Sequence, residues 1–334
     1  MLRDALLAQF PKLATLPPHT EAIGGAIRDV LLGATPLDVD LECEDPLACA
    51  SALGKVIALG RGDLTVYRVA VDGRVYDFSR KTDLGRRDFT INAIAIDLTT
   101  GELRDPFEGQ EDIRGRVVRM IHAHNLDDDP LRMLRAVRLA VRLDFTIGEP
   151  TVTQIRRRAA KIVTVAAERV TYELHAIFSA GKFRRAVRLL NATALDEPLF
   201  GYSIDPERFP DDEVSVAAAY ALLVRDVRAF AKRWRWSDAL LRDVLTLQKL
   251  MRDPNLIALY DAGEALARQL PQRVAMPDFS IQPLLDGHEI ALLANIDQGP
   301  KVGEIKRALL EAQLRGEVKT REEAERFVGS DLKS

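Results

Sequence analysis

The sequence predicts an α+β protein in which a mixed sheet with its helices comes first and a helical region follows. Two runs of alternating apolar residues, at 64–71 and 74–78, are joined by Asp72-Gly73, a dipeptide that favours the tight turn of a β-hairpin. Beyond residue 130 the apolar residues recur every three to four positions, which indicates amphipathic helices. The pattern predicts long helices at 214–236 and 239–251, and a helix at 304–314 that starts after a glycine- and proline-containing break at 299–303. With 334 residues, 47% of them hydrophobic, the chain is long enough for two or more packed units.

Composition narrows the class of protein. The net charge of -3 does not by itself indicate a nucleic-acid-binding protein. Two cysteines, Cys43 and Cys49, argue against a disulfide scaffold and against a four-ligand zinc site. The amphipathic start of the chain contains Asp4 and lacks a long apolar core, so neither a signal peptide nor a membrane span is predicted. We therefore expect a cytoplasmic protein with no membrane partner.

Residues 23–42 carry the first candidate site and read IGGAIRDVLLGATPLDVDLE. Residues two apart on a strand project to the same face, so Asp38 and Asp40 would present their carboxylates together. Such a pair suits Mg²⁺, and two ions can clamp the attacking and leaving oxygens of a phosphoryl displacement. The stretch therefore predicts phosphate chemistry, although an Asp-x-Asp sequence alone is also common in turns.

The glycine pair of the same stretch predicts a phosphate-binding turn. Gly24 and Gly25 would let the backbone approach a triphosphate, and a helix at 26–32 would offer its amino-terminal amides. Arg28 lies in the first turn of that helix. The alternative is that the two glycines mark a loop.

A second motif, GRRDFTINAIAID, occupies residues 85–97. Arg87 beside Asp88 can bind the phosphates and sugar of a nucleotide, and Asn92 offers both a donor and an acceptor. The alternative for the arginines is surface charge. The apolar run at 91–96 is predicted as strand or helix core.

A third motif, DDPLRMLRAVRL, begins at Asp128 and opens a helix with acidic residues and a proline. Its arginines fall on one helical face, which is either a solvated basic stripe or part of a binding site: Arg132, Arg135, Arg138 and Arg142. More basic residues cluster at 156–161 and 182–188. These clusters could follow an RNA backbone, or they are solvated faces.

Together the three motifs resemble the signature of the class II tRNA nucleotidyltransferases, relatives of bacterial poly(A) polymerases in the DNA polymerase beta superfamily. The resemblance implies a polymerase-beta-like catalytic head at 1–121, a neck at 122–195 that selects the nucleotide base, and a body and tail at 196–334 that bind tRNA, with neck, body and tail all helical. It also implies that Asp38 and Asp40 are catalytic and bind Mg²⁺, with Asp77 as a candidate third ligand. The implied nucleotide-binding residues are Gly24, Gly25, Arg28, Arg87, Asp88, Asn92, Asp129, Arg132, Arg135 and Arg138.

The base-selecting motif of the family is Glu-Asp-x-x-Arg, which stands here as Asp128-Asp129-x-x-Arg132. An aspartate accepts from an exocyclic amine and an arginine donates to a ring nitrogen or carbonyl, so Asp129 with Arg132 could hold cytosine or adenine. Uracil and guanine would leave buried groups unpaired, at roughly 1–3 kcal/mol each. The chain departs from the family at Asp128, where glutamate is usual.

A second departure concerns the connection after the strand that ends at Phe78. Only residues 79–85 precede Arg86, whereas most full CCA-adding members have a much longer flexible loop there. In the family this loop is tied to the switch from C to A addition, and its loss marks enzymes that add CC only. We therefore expect a CC-adding enzyme whose partners are tRNA and CTP, and not DNA. The alternatives are full CCA addition with CTP and ATP, then a poly(A) polymerase, then an inactive RNA-binding protein.

Overall fold

The computed structural model describes residues 2–60, 62, 65–209 and 213–330. The chain divides into two compact units, Met1–Asp211 and Asp212–Ser334. The first unit contains the sheet and every candidate site residue, and the elements described in the second unit are helices. The finer division into head, neck and body at residues 121 and 195 stays a prediction.

Seven of the described strands of the first unit form a mixed sheet, as predicted. In chain order they are β1 (Glu21–Ile23), β2 (Asp38–Glu42), β3 (Val56–Leu59), β4 (Val66–Val71), β5 (Arg74–Ser79), β6 (Ala95–Asp97) and β7 (Leu103–Arg104). Their order across the sheet is β3-β4-β5-β2-β1-β6-β7. Strands β2 and β5 are parallel, and the other neighbouring strands among these are antiparallel.

The predicted hairpin is confirmed between β4 and β5. Val71 pairs with Arg74, and the two turn residues between them, Asp72 and Gly73, have φ of 53° and 72°. Two positive φ angles are the mark of the type I′ turn that matches the twist of the flanking strands. The predicted start of the first strand at residue 64 lies outside the described residues.

The helices of the first unit are α1 (Leu2–Gln9), α2 (Gly25–Leu31), α3 (Pro46–Leu53), α4 (Gly109–Gly115), α5 (Asn125–Asp128), α6 (Arg132–Leu143), α7 (Glu149–Arg158), α8 (Ala167–Phe178), α9 (Phe183–Ala192) and α10 (Asp196–Phe200). Helix α2 begins one residue before its predicted start. The run at 91–96 divides into a 3-10 turn, Thr90–Asn92, and strand β6. Helix α6 packs against α8 and α9.

The neck departs in detail from the all-helical prediction. Strand β8 (Val117–Val118) pairs in parallel with strand β9 (Thr146–Ile147). After α6 the chain turns at Asp144, whose φ is 60°, and a left-handed residue is a common way to end a helix. The turn brings the buried Phe145 and the following short strand back beside β8.

The helices of the second unit are α11 (Val216–Leu223), α12 (Val227–Arg233), α13 (Asp238–Arg252), α14 (Leu256–Ala262), α15 (Glu264–Ala267), α16 (Gly287–Ala294), α17 (Pro300–Leu314) and α18 (Arg321–Ser330). The prediction of one helix over 214–236 is wrong. Val224 is extended, and the side chain of Asp226 accepts a hydrogen bond from the amide of Ala229, which starts a new helix.

Helix α17 also differs from its prediction, which placed a break at 299–303 and a start at Glu304. It begins at Pro300 because proline lacks an amide hydrogen and is tolerated in a first helical turn. None of the helices in the described ranges has the length and apolar character needed to cross a bilayer.

Candidate active site

Strand β2 presents the two predicted metal-binding aspartates on one face. Asp38 and Asp40 are exposed, whereas Val39 between them is buried. The strand lies between β1 and β5, so that Asp40 stands beside Ile23 on one side and Asp77 on the other. The alternation that the sequence predicted is therefore present, and both carboxylates face solvent from the middle of the sheet.

Arg87 approaches this pair of carboxylates. Its Nη1 lies 3.9 Å from Oδ2 of Asp40 and donates to the carbonyl of Asn92 at 3.3 Å. Gly24 makes the approach possible, because a Cβ at that position would lie 2.5 Å from Nη1 of Arg87. The φ of Gly24 is 77°, which side chains rarely tolerate. Gly24 thus leaves room for the guanidinium of Arg87 beside strand β2.

The surroundings of Asp40 disfavour its charged form. Desolvation by the surrounding protein atoms raises the pKa of Asp40, and the charge of Arg87 opposes this shift. Repulsion from Asp77 and Asp38 raises the pKa further. Since 51% of the Asp40 side chain remains accessible, a cation can reach the carboxylate and relieve this repulsion.

Asp77, the candidate third ligand, is engaged by an arginine that the sequence analysis did not select. Arg68 of β4 donates from Nε and Nη2 to the two carboxylate oxygens of Asp77, at 2.8 and 2.6 Å. Such two-point pairing is strong and fixes both side chains. Among the described residues no group of three potential metal ligands is found. The role of Asp77 in metal binding stays a prediction.

A buried network connects the glycine-rich motif to the second motif. The guanidinium of Arg28 donates to Oδ1 of Asn92 and to Asp29. Asn92 in turn donates from Nδ2 to Asp88 at 3.0 Å. Asp88 also accepts from its neighbouring amide, Phe89 N, at 2.9 Å. All four polar side chains are buried, so each is held in one orientation.

The same network continues into the neck. Arg135 of α6 lies 2.8 Å from Asp88. Although burial acts to raise it, the pKa of Asp88 is lowered overall, because Arg135 and the hydrogen bonds from Asn92 and Phe89 outweigh that effect. Glu173 of α8 accepts from Arg138 at 2.7 Å and lies 3.9 Å from Arg135. Of the two alternatives for this helical face, a solvated basic stripe does not describe Arg135 and Arg138, which are ion-paired.

Two cavities adjoin at this network. The first, of about 580 Å³, lies over strand β2 and is lined by Asp38, Asp40, Gly25 and Arg28 among others. The second, of about 380 Å³, is lined on the neck side by Asp129 and Arg132. Both cavities share Arg87, Asp88 and Arg135. The cavity with the predicted metal ligands and the cavity with the predicted base-selecting pair therefore meet at three residues.

The base-selecting pair is fixed by its neighbours. Oδ2 of Asp129 accepts from Arg169 at 2.8 Å, and Oδ1 accepts from the amide of Leu131 at 3.2 Å. Arg132 donates to the carbonyl of Asn125 at 3.1 Å and to the carbonyl of Arg86 at 2.7 Å. Each side chain can still form further hydrogen bonds, because a carboxylate oxygen accepts more than one hydrogen bond and a guanidinium has five donors.

The structure brings the predicted site residues together. Gly24 adjoins the first cavity through Arg87, Asp77 adjoins it through Arg68, and the remaining predicted residues line the first or the second cavity. Sequence reasoning did not select five residues that hold the site in place: Asp29, Arg68, Asn125, Arg169 and Glu173. Asp29 had a signal, since it lies inside the glycine-rich motif at 23–42.

The basic clusters of the neck are largely occupied by internal contacts. Lys161 and Arg158 both contact Asp127, at 2.6 and 3.0 Å. Lys182 contacts Asp144 at 3.2 Å, and further arginines donate to carbonyls or carboxylates nearby: Arg156, Arg184, Arg185 and Arg188. The clustering seen in the sequence therefore serves packing of the neck as well as any role toward RNA.

Comparison with protein families and relatives agrees with the site. Residues 60–119 match the poly A polymerase head domain, and residues 144–207 match the probable RNA and SrmB-binding site of polymerase A. A CCA-adding enzyme of Bacillus pumilus is 30% identical over 76% of this chain and 74% of its own length. An A-adding tRNA nucleotidyltransferase of Deinococcus radiodurans is 29% identical over 95% and 96%. A CC-adding tRNA nucleotidyltransferase of Synechocystis is 38% identical over 49% and 42%.

The fold is likewise that of known enzymes. The Bacillus stearothermophilus CCA-adding enzyme, solved in complex with CTP, superposes with a TM-score of 0.74 at 24% identity and covers 98% of this chain and 96% of its own. The fold and these relatives together define a tRNA nucleotidyltransferase. The chain belongs to the class II tRNA nucleotidyltransferases, the family of the CCA-adding and CC-adding enzymes. It is therefore an enzyme of tRNA processing.

Proposed function

We propose that this enzyme adds two cytidine residues from CTP to the 3′ end of tRNA, without a nucleic-acid template. The observation that carries the proposal is the connection between β5, which ends at Ser79, and the 3-10 turn that begins at Leu84. Only residues 80–83 lie between them, where the resemblance leads one to expect a long flexible loop for full CCA addition.

This connection is held at each of its last three residues. Lys81 donates to Glu21 at 3.1 Å, Thr82 donates to Glu42 at 2.6 Å, and the carboxylate of Asp83 accepts from the amide of Gly85 at 2.9 Å. A short segment that is held by such contacts has few alternative conformations available to it. It is poorly suited to a rearrangement between the addition of C and the addition of A, which supports CC addition.

Enzymes of this family use divalent metal ions, and we propose Mg²⁺ at Asp38 and Asp40. The donor set fits, because Mg²⁺ in phosphoryl-transfer sites is commonly bound by one or two carboxylates together with substrate phosphates and water. When bound, the ion would supply activation of the terminal 3′ hydroxyl and charge neutralisation at the phosphates. Gly24 and Gly25 let the nucleotide approach, and Arg28 and Arg87 provide the positive charge at the triphosphate.

Arg87 has a donor ready for the nucleotide. Its Nε is buried and has no hydrogen-bond partner among the described residues, a costly state that an acceptor on the nucleotide would relieve. Asp88 and Asn92 use their polar atoms within the buried network. We therefore assign these two residues to holding Arg28 and Arg135 in position, at the junction of the two cavities.

Asp129 and Arg132 would select the base in the second cavity. The remaining acceptor capacity of Asp129 suits the exocyclic amine of cytosine, and the remaining donors of Arg132 suit its ring nitrogen and carbonyl. Uracil would place a carbonyl against the carboxylate, where neither group can donate. The protein side chains thus take the part of a template, and tRNA and CTP are the proposed partners in the cytoplasm.

Full CCA addition is the second candidate function, with ATP as a further substrate. It is supported by the relatives named as CCA-adding enzymes, and the A-adding relative that spans nearly the whole chain supports the use of ATP. The adenine amine presents the same pattern to Asp129 as the cytosine amine, so the base-selecting pair does not separate the two. Poly(A) synthesis and RNA binding without catalysis are the remaining alternatives.

One assay separates these functions. The purified enzyme is incubated with Mg²⁺ and tRNA that lacks CCA, with CTP alone and with CTP plus ATP, and the products are sequenced. The proposal predicts the same CC end in both reactions. A CCA end with both nucleotides would establish the second candidate, and long adenosine tails on unrelated RNA would establish poly(A) synthesis. Asp40→Ala should abolish incorporation while tRNA binding is retained.

A further inference from the structure

Three consecutive backbone carbonyls beside the site are held by two side chains of the neck. Asn125, the first residue of α5, donates from Nδ2 to the carbonyl of Gly85 at 2.8 Å and to the carbonyl of Arg87 at 2.7 Å. Arg132 donates to the intervening carbonyl of Arg86 at 2.7 Å. Arg132 also donates to the carbonyl of Asn125 itself, at 3.1 Å. These five residues are therefore joined by one connected set of hydrogen bonds.

The side-chain amide of Asn125 forms two of these hydrogen bonds but leaves its own oxygen atom unpaired within the described part of the chain. Asn125 is 1% exposed, and both of the contacts found for its side chain come from the NH₂ group. Its Oδ1 has no partner among the residues that the structure describes. An unpaired buried acceptor is unfavourable, so the two donated bonds are what this buried amide contributes to the turn.

The clamped turn carries the two arginines on which the proposed function depends. Arg87 borders both cavities and lies 3.9 Å from Asp40, while Arg132 lines the base-binding cavity. The turn is fixed on its other side by the short connection that ends at Asp83. A shift of the turn would therefore move the triphosphate end and the base end relative to each other.

We propose that Asn125 is a positioning residue for base selection, which sets the distance between Arg87 and Arg132 by clamping the turn 85–87. The inference rests on the proposed function, since it concerns the fit of the nucleotide in the same site. Asn125 itself need not touch the nucleotide. Without these hydrogen bonds, Arg87 and Arg132 can move independently of each other. A nucleotide with the wrong base can then reach the position from which it is transferred.

The test compares Asn125→Ala with a matched control, Thr193→Ala. Thr193 is also fully buried and donates to two backbone carbonyls, those of Leu189 and Leu190, but it does not line either cavity. The measurements are kcat and KM for CTP, the ratio of CTP to UTP incorporation into tRNA lacking CCA, and the thermal midpoint. Asn125→Ser, which keeps one donor in a buried site, is measured in parallel in case the alanine variant does not fold.

The clamp predicts that Asn125→Ala lowers the preference for CTP over UTP by about 10- to 100-fold, the range expected when a reacting group is misplaced by about 1 Å. KM for CTP should rise more than kcat falls, and Asn125→Ser should be intermediate. Thr193→Ala should lose thermal stability with its CTP preference unchanged. The proposal would be wrong if the ratio of CTP to UTP incorporation were the same in Asn125→Ala, Asn125→Ser and Thr193→Ala.

Direct binding of CTP and UTP to the same variants, measured without tRNA, separates this inference from the proposed function. If the wild-type enzyme transferred no cytidine to tRNA, the proposed function would be wrong. The clamp would still predict that the affinities for CTP and UTP differ less in Asn125→Ala than in the wild type. An unchanged difference in affinity would refute the clamp whatever the product of the reaction.

Discussion

Arg135 and Asp88 lie 2.8 Å apart and join helix α6 to the segment between strands β5 and β6 of the sheet. The carboxylate of Asp88 is nearly inaccessible, and it also accepts from Asn92. Through Asn92 the pair is linked to Arg28 behind the glycine-rich turn. Residues that line the first cavity and residues that line the second are therefore parts of one hydrogen-bonded network.

Breaking this pair should destabilise the protein. Arg135→Ala leaves Asp88 buried without its main cation, and we expect a loss of about 3 kcal/mol in the free energy of unfolding, the lower end for a buried pair because Arg135 is 35% exposed. Urea denaturation measures the loss. Arg157→Ala, which removes an exposed arginine of α7, is the control and should change stability by less than about 0.5 kcal/mol. Equal losses of stability in Arg135→Ala and Arg157→Ala would contradict a stabilising role for the Arg135–Asp88 pair.

Asp88 should also make stability depend on pH. Its pKa is lowered in the folded protein, mainly by Arg135 and the hydrogen bonds that outweigh burial. A lowered pKa contributes stability above the unfolded value, about 3.9 for aspartate, and this contribution is lost as the pH falls through the folded pKa. Asp88→Asn should be less stable at pH 7 and should lose less further stability on acidification than the wild type. The prediction would be contradicted if denaturant titrations gave the same pH dependence of the free energy of unfolding for Asp88→Asn and for the wild type.

Gly24 offers a test with a close control. Gly24→Ala would place a Cβ 2.5 Å from Nη1 of Arg87, whereas Gly33→Ala, at nearly the same φ of 74°, has no neighbour within 4 Å among the described residues. Both substitutions should cost about 1 kcal/mol of stability through backbone strain. Only Gly24→Ala should weaken CTP binding, by about tenfold or more. Titration calorimetry with CTP measures the difference, and equal affinities in the two variants would argue against a role for Arg87.

The carboxylates of the first cavity should differ in importance. Since Arg68 already occupies both oxygens of Asp77, we predict that Asp77→Asn lowers kcat by about tenfold, through a weaker hold on the neighbouring strand and on Arg68. Asp38→Asn or Asp40→Asn should lower kcat by more than about a thousandfold, because a metal ligand is lost. Rates of cytidine incorporation at saturating Mg²⁺ decide the order. A loss for Asp77→Asn as large as that for Asp40→Asn would make Asp77 an essential ligand.

Much of the site follows from the sequence because its geometry is local. Two aspartates two residues apart share a strand face wherever the strand lies, and Asp72-Gly73 specifies its hairpin without help from the rest of the chain. The pairing of Asp77 with Arg68 depends on the register of β4 against β5, and Glu173 meets Arg138 from another helix. Contacts of this kind depend on tertiary packing, which periodicity does not encode.

The same limit explains the errors in the helices. The run at 214–236 is apolar enough for one long helix, but Asp226 can start a new helix by capping it, and packing decides between the two outcomes. Asn125 was overlooked for a related reason. A single asparagine has no periodic signal, and its importance lies in carbonyls that are some 40 residues earlier in the chain.

The central claim is that the short connection at residues 80–83 leaves an enzyme that stops at CC. The most direct measurement offers tRNA that already ends in CC, with ATP and Mg²⁺, and compares it with tRNA lacking CCA and CTP in a parallel reaction. We predict cytidine incorporation into the second tRNA and no adenosine on the first. Efficient transfer of a single adenosine to the CC-ended tRNA would contradict the claim.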